Sequence, residues 1–166
     1  MIFRFGRAIV RRAGQLTLRV IVPAVVFVMP YAASADTEAE SALSNAVRIA
    51  RKLRDDRLVA SLLARRALRP AAGPAEIDEV VAAYEDMADP DGAIEFLRKR
   101  LQIYPAERHT LILLADLCVR SEHGDEGIAR YEEAGTRFGL TPAESVRLAR
   151  ILAKRGKLQR AQGVLK

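Results

Sequence analysis

The sequence predicts an all-α protein, and three observations carry that prediction. The apolar half of the chain is mainly Ala, Leu and Val, with aromatics at 5% and no Trp, a mix that suits close-packed helices better than a sheet of β-branched and aromatic residues. No stretch alternates strictly between apolar and polar residues, as a half-buried strand would. After Asp36 the chain breaks into short segments of helical periodicity whose apolar positions return every 34 residues. A chain of 166 residues is ordinarily one domain and can bury a substantial core.

The first 35 residues stand apart from the rest. Arg4, Arg7, Arg11, Arg12 and Arg19 precede or border the apolar run 20–33, and Ala33-Ser34-Ala35 supplies the spaced small side chains that a signal peptidase pocket accepts. The segment resembles a secretory signal peptide, with cleavage expected before Asp36. That resemblance implies a periplasmic or secreted mature protein. One alternative is an uncleaved inner-membrane anchor, although a run of 14 residues carrying Pro23 and Pro30 falls short of the about 20 that a spanning helix needs. A mitochondrial transit peptide ranks lower, because the leader is poor in Ser and its apolar block is compact. No cysteine lies near the cleavage point, so no lipid anchor is expected. Cys118 is the only cysteine and excludes an intrachain disulfide.

The leader also accounts for the charge. The chain carries a formal +6, but five of its 27 basic residues and none of its 21 acidic ones precede Asp36, which leaves 22 against 21 in the body. A near-neutral body argues against nucleic acid as a partner, because phosphate binding needs clustered, uncompensated Lys and Arg.

Along the body, the capping boxes Thr37-Glu-Ala-Glu40 and Thr141-Pro-Ala-Glu144 each start a helix. Asp89-Pro90 and Gly73-Pro74 start two more, with a proline that has no N–H to lose at the first helical position. The periodicity then predicts helices over 38–53, 56–69, 75–87, 90–103, 106–120, 125–138, 142–155 and 158–165. Frames starting at Pro74, Arg108 and Pro142 align five columns: Tyr84, Cys118 and Leu152; Ala93, Gly127 and Ala161; Leu97, Tyr131 and Leu165; Val80, Leu114 and Leu148; Val81, Ala115 and Ala149. The small residues let paired helices approach closely, and the larger ones fill the space between neighbouring pairs.

This spacing resembles the tetratricopeptide repeat (TPR), whose signature runs W-x2-L-G-x2-Y, then A-x3-F, then P. In the first frame Tyr84, Ala93 and Pro105 match, with Leu97 in place of Phe. In the second Leu114, Ala115 and Tyr131 fit, but Cys118 replaces the Tyr and Gly139 the Pro. The third keeps Leu148 and Ala161 and is truncated at Lys166. A frame over about 40–73 (Leu43, Val47, Val59, Leu63) is degenerate. The organisation expected is therefore a leader over 1–35 and a repeat domain over 36–166, with repeats at 74–107, 108–141 and 142–166. The resemblance implies a right-handed α-solenoid of antiparallel helix hairpins.

No chemistry of an enzyme stands out, and neither a cofactor nor a metal is expected. His109 and His123 are the only histidines, and with one cysteine they cannot build the usual zinc constellations. Both are expected on the surface. Cys118 falls in a column of larger apolar groups and is expected to be buried and inert. There is no glycine-rich phosphate loop and no nucleophile elbow. The acids of 76–95, which meet no base within the segment, are expected to form a solvated face.

The TPR resemblance implies a groove lined by the first helix of each pair, here Asp78, Ala82, Glu85, His109, Ile112, Asp116, Val119, Arg150 and Lys154, that takes a protein or peptide partner. Asn45 is the only asparagine, so the Asn-containing clamp of chaperone-tail binders in this family is not expected. The acidic segment and the basic end from Arg147 to Arg160 would suit a bipolar partner or head-to-tail self-association. Leu148, Leu152, Leu158 and Leu165 are expected to form an uncapped C-terminal edge. The function expected is an exported interaction scaffold or adaptor, by family analogy in envelope assembly, secretion or polysaccharide export. The alternative is a membrane-anchored, self-associating structural protein that keeps its leader.

Overall fold

The computed structural model describes residues 37–165. The leader and its cleavage site lie outside the described residues. By internal contacts the chain divides into residues 1–46 and 47–166. In the first unit the described residues, 37–46, are helical throughout. That helix, α1, runs over 37–53 and so ends in the second unit. There it is followed by α2 (Asp56–Ala67), α3 (Pro74–Asp86), α4 (Pro90–Ile103), α5 (Arg108–Arg120), α6 (Gly124–Phe138), α7 (Pro142–Lys154) and α8 (Leu158–Val164). The protein is all-α: there is no strand among the described residues, and no helix among them is long and apolar enough to cross a membrane.

The helix boundaries recur at the spacing seen in the sequence. The helices α3, α5 and α7 start at Pro74, Arg108 and Pro142 and end at Asp86, Arg120 and Lys154, while α4, α6 and α8 start at Pro90, Gly124 and Leu158, all in steps of 34 residues. Local chemistry sets these boundaries. The Thr141 hydroxyl accepts from the Glu144 N–H at 3.3 Å and the Glu144 carboxylate accepts from the Thr141 N–H at 2.7 Å, closing the expected capping box. Asp89 accepts from the Gly92 N–H at 2.9 Å, and Glu76 from the Gly73 N–H at 2.9 Å. Gly139 ends α6 at φ 74°, a left-handed conformation that glycine adopts without a Cβ penalty.

Four of the five columns form the core as expected. Val80, Leu114 and Leu148 are buried, as are Val81, Ala115 and Ala149, and so are Ala93, Gly127 and Ala161; Cys118 and Leu152 are buried while their column mate Tyr84 is half-buried. The fifth column departs: Leu97 and Tyr131 are fully buried but Leu165 is 59% exposed. Leu97 belongs to a core cluster that includes Leu114, Leu117 and Cys118 of α5, and Tyr131 to one that includes Leu148 and Leu152 of α7. Among the described residues no helix follows α8 to cover Leu165 in the same way. The expected uncapped edge needs correcting here, because Leu148 and Leu152 are 1% and 0% exposed in the cluster with Tyr131 and Ala161, which leaves only Leu158 and Leu165 open.

Close approach within a pair is enforced at Gly127. A Cβ there would lie 2.6 Å from Val119 Cγ2 and 2.9 Å from the Ala115 carbonyl oxygen, so α5 and α6 meet nearly backbone to backbone. Between pairs, the second helices and the residues that cap them are joined by polar pairs in register. Asp91 lies 3.0 Å from His123 Nε2, and 34 positions on Asp125 lies 3.7 Å from Lys157. Arg98 donates to Glu126 at 3.1 Å, and 34 positions on Glu132 and Arg160 make the same pair with the signs exchanged. Equivalent positions thus meet at successive steps although their charges differ.

The helix α2 stops two residues short of the sequence expectation because Arg69 precedes Pro70, and a residue before proline is disfavoured in the α region. The turn that follows holds carbonyls with no helical partner, and Arg100 of α4 takes them. Its guanidinium, fully buried, donates to the carbonyls of Ala67, Arg69 (2.9 Å) and Ala72 (3.1 Å) and to Glu107 through Nε (2.8 Å). The Tyr104 ring stacks 4.2 Å beneath it, and the Tyr104 hydroxyl donates to the Leu68 carbonyl at 3.1 Å. Sequence reading assigned Arg100 no role.

These pairs make stability sensitive to acid. Burial opposes the charge of Glu107, but hydrogen bonds from Arg100 and Thr110 outweigh it and hold its carboxyl below the usual value of 4.5. Glu126 is lowered by Arg98, and Glu144, against burial, by the Thr141 backbone, the Thr141 hydroxyl and Arg108. A carboxyl lowered in the folded state stabilises it fully above the unfolded value and loses that contribution as pH falls through the folded value. Urea midpoints should therefore be flat from about pH 7 to 5 and fall steadily below about pH 4.5. A midpoint that holds down to about pH 3 would show that these pairs contribute nothing.

Candidate binding groove

The helices α5 and α7 are the first members of successive pairs, and a groove of about 520 Å³ lies between them. Its walls are Leu113, Asp116, Val119 and Arg120 from α5 and Arg147, Arg150, Ile151 and Lys154 from α7, with Arg155 at the end. On each helix these positions are three or four apart, which brings them to one face. Leu113, Val119 and Ile151 are half-buried, so the groove has an apolar floor.

Its charges divide into two groups. Arg120 reaches back to Glu85 of α3 at 2.8 Å, and Arg155 reaches Asp125 of α6 at 2.6 Å. Arg147 donates to Asp116, which also accepts from the buried Tyr131 hydroxyl, and Arg147 lies 3.4 Å from that hydroxyl. Burial and the bond to Asp116 push the Tyr131 hydroxyl pKa well up, so it stays a donor. Asp116 is thereby engaged through both oxygens. Arg150 and Lys154 are exposed and have no ion pair among the described residues.

Of the nine groove residues expected from sequence, Asp116, Val119, Arg150 and Lys154 meet here. Asp78 and His109 instead face each other at 2.8 Å across α3 and α5. Glu85 acts through Arg120, and Ile112 packs against the second core cluster. Ala82 lines a smaller cavity with Val59 and Leu63 of α2. Leu113, Arg120, Arg147, Ile151 and Arg155 were missed, although the spacing of Arg147, Arg150, Ile151 and Lys154 along one helical stripe already carries the signal.

The acidic segment forms a solvated face as expected, with Asp78, Glu85, Asp86, Asp89, Asp91 and Glu95 exposed. Several of its acids also meet bases from elsewhere in the chain: Asp78 faces His109, Glu79 takes Arg51 at 2.7 Å and also Arg66, Glu85 takes Arg120, and Asp91 faces His123. Both histidines are at the surface, each with an aspartate partner. Cys118 is fully buried, and burial, with Glu126 nearby, pushes its thiol up to about 11, so it is a packed apolar group at neutral pH. Among the described residues no group of His, Cys, Asp and Glu could hold a metal ion.

No family model matches the chain. No curated protein matches it either.

Proposed function

We propose that the chain is an exported, periplasmic TPR-like scaffold or adaptor that binds another protein through the groove between α5 and α7. The observation that carries this reading is the open groove itself: an apolar floor with two uncompensated cations, Arg150 and Lys154, on helices otherwise closed by inter-helix pairs. The signal-like leader supplies the compartment, and envelope assembly, secretion or polysaccharide export are the settings that family analogy suggests. Affinity capture of the full chain from an envelope extract tests it, with Arg150→Glu plus Lys154→Glu as control. One partner retained by the wild type and lost in the control is the expected result. A partner retained equally by both overturns the groove as the binding face.

A second reading is self-association, which the exposure of Leu158 (61%) and Leu165 (59%) favours, because the column mates of Leu165 are buried under a following helix. Under that reading light scattering gives a mass that falls to the monomer when both leucines become Ser.

A further inference from the structure

The acidic and basic parts of the repeat domain are treated differently. Glu79 and Glu85 each face an arginine from another helix, and Asp78 and Asp91 each face a histidine. At the other end Arg150 and Lys154 stand four residues apart on one face of α7, with Arg147 three residues before Arg150, and neither Arg150 nor Lys154 has an acidic partner among the described residues. Like charges at that spacing repel and weaken the helix that carries them. An anionic occupant relieves the repulsion. Between these cations and α5 lie Leu113, Val119 and Ile151, which an ion alone would leave uncovered.

We infer that the groove takes a peptide segment of a partner protein in which carboxylates flank an aliphatic side chain, the carboxylates on Arg150 and Lys154 and the aliphatic group on Leu113, Val119 and Ile151. This rests on the groove reading above and adds the chemistry of the partner. A nucleic acid fits less well. The groove has no aromatic side chain on which a base could stack, and three of its five cations already hold a carboxylate, so little counterion release is left to drive phosphate binding. A second copy of this chain fits less well too, because five of the seven acids on its α3 and α4 already face a base of their own chain, which leaves only Asp86 and Glu95.

The test is fluorescence anisotropy of the full chain with three pools of short labelled peptides: Glu and Asp mixed with Leu, the same with Gln and Asn in place of the acids, and Lys mixed with Leu. A single-stranded DNA oligonucleotide serves as a fourth probe. The acidic pool is expected to bind, the others to bind at least about tenfold more weakly, and Arg150→Gln with Lys154→Gln to weaken the acidic pool by about tenfold. Ser in place of Leu in the acidic pool is expected to weaken binding severalfold. No binding of the acidic pool, binding unchanged in the double variant, or DNA bound as tightly each overturns the inference. If capture still yields a partner that needs Arg150 and Lys154, the adaptor reading stands and only the carboxylate chemistry fails.

Discussion

Replacing Arg100 by Met is expected to be the most damaging single substitution in the repeat domain. The guanidinium holds three turn carbonyls and Glu107 while itself fully excluded from water. Met fills part of the volume but takes the side-chain donor from the Ala67 and Ala72 carbonyls, leaves the Arg69 carbonyl only the Ala72 N–H, and leaves Glu107 without its main partner. Breaking a buried pair by removing one member costs about 3–5 kcal/mol, and orphaned buried carbonyls contribute to the same range. The expected result is a melting temperature lowered by on the order of 10 °C. Arg100→Lys should fall between the two, since an ammonium keeps the charge but cannot span carbonyls and carboxylate with a rigid fork. A shift of only a degree or two for Arg100→Met would mean that the 68–73 turn closes without it.

The second large effect is expected at Gly127. An added Cβ meets the Ala115 carbonyl oxygen and the Val119 nitrogen, both at 2.9 Å, and backbone cannot turn aside as a side chain can. Overpacking of this kind typically costs about 1–3 kcal/mol. Gly127→Ala should therefore lower the denaturation midpoint even though alanine is the better helix former by about 1 kcal/mol. It should also disturb binding, because Val119 stands in the groove wall. A stabilised Gly127→Ala variant would show that α5 and α6 can separate freely.

Much of the fold was legible because it is written locally. Thr141 with Glu144, Asp89 with Pro90, and Gly73 with Pro74 fix helix starts through contacts within one turn, and the structure places those starts within a residue of expectation. The columns were legible because burial repeats with the helix pair, so Val80, Leu114 and Leu148 report one environment three times. Less legible were interactions that join positions about one repeat apart with unlike residues. Nothing near Glu85 or Asp91 in sequence announces Arg120 or His123. Arg100 is the extreme case: its carbonyl partners lie some 30 residues earlier, at the end of α2 and in the turn that forms because Pro70 ends that helix early. The α7 part of the groove, Arg147, Arg150, Ile151 and Lys154, is legible as one helical stripe, and Asp116 and Val119 of α5 were expected from the sequence. Arg120 and Arg155 were hidden because their roles depend on which carboxylates of α3 and α6 they reach.

Lysine labelling read by mass spectrometry, with and without the captured partner, tests the central claim most directly. Lys154 lines the groove, while Lys52 of α1 and Lys99 of α4 are exposed elsewhere and serve as internal references. The account predicts that the partner slows modification of Lys154 severalfold and leaves Lys52 and Lys99 unchanged. Protection of Lys52 or Lys99 with Lys154 still reactive would place the partner on another face and contradict it.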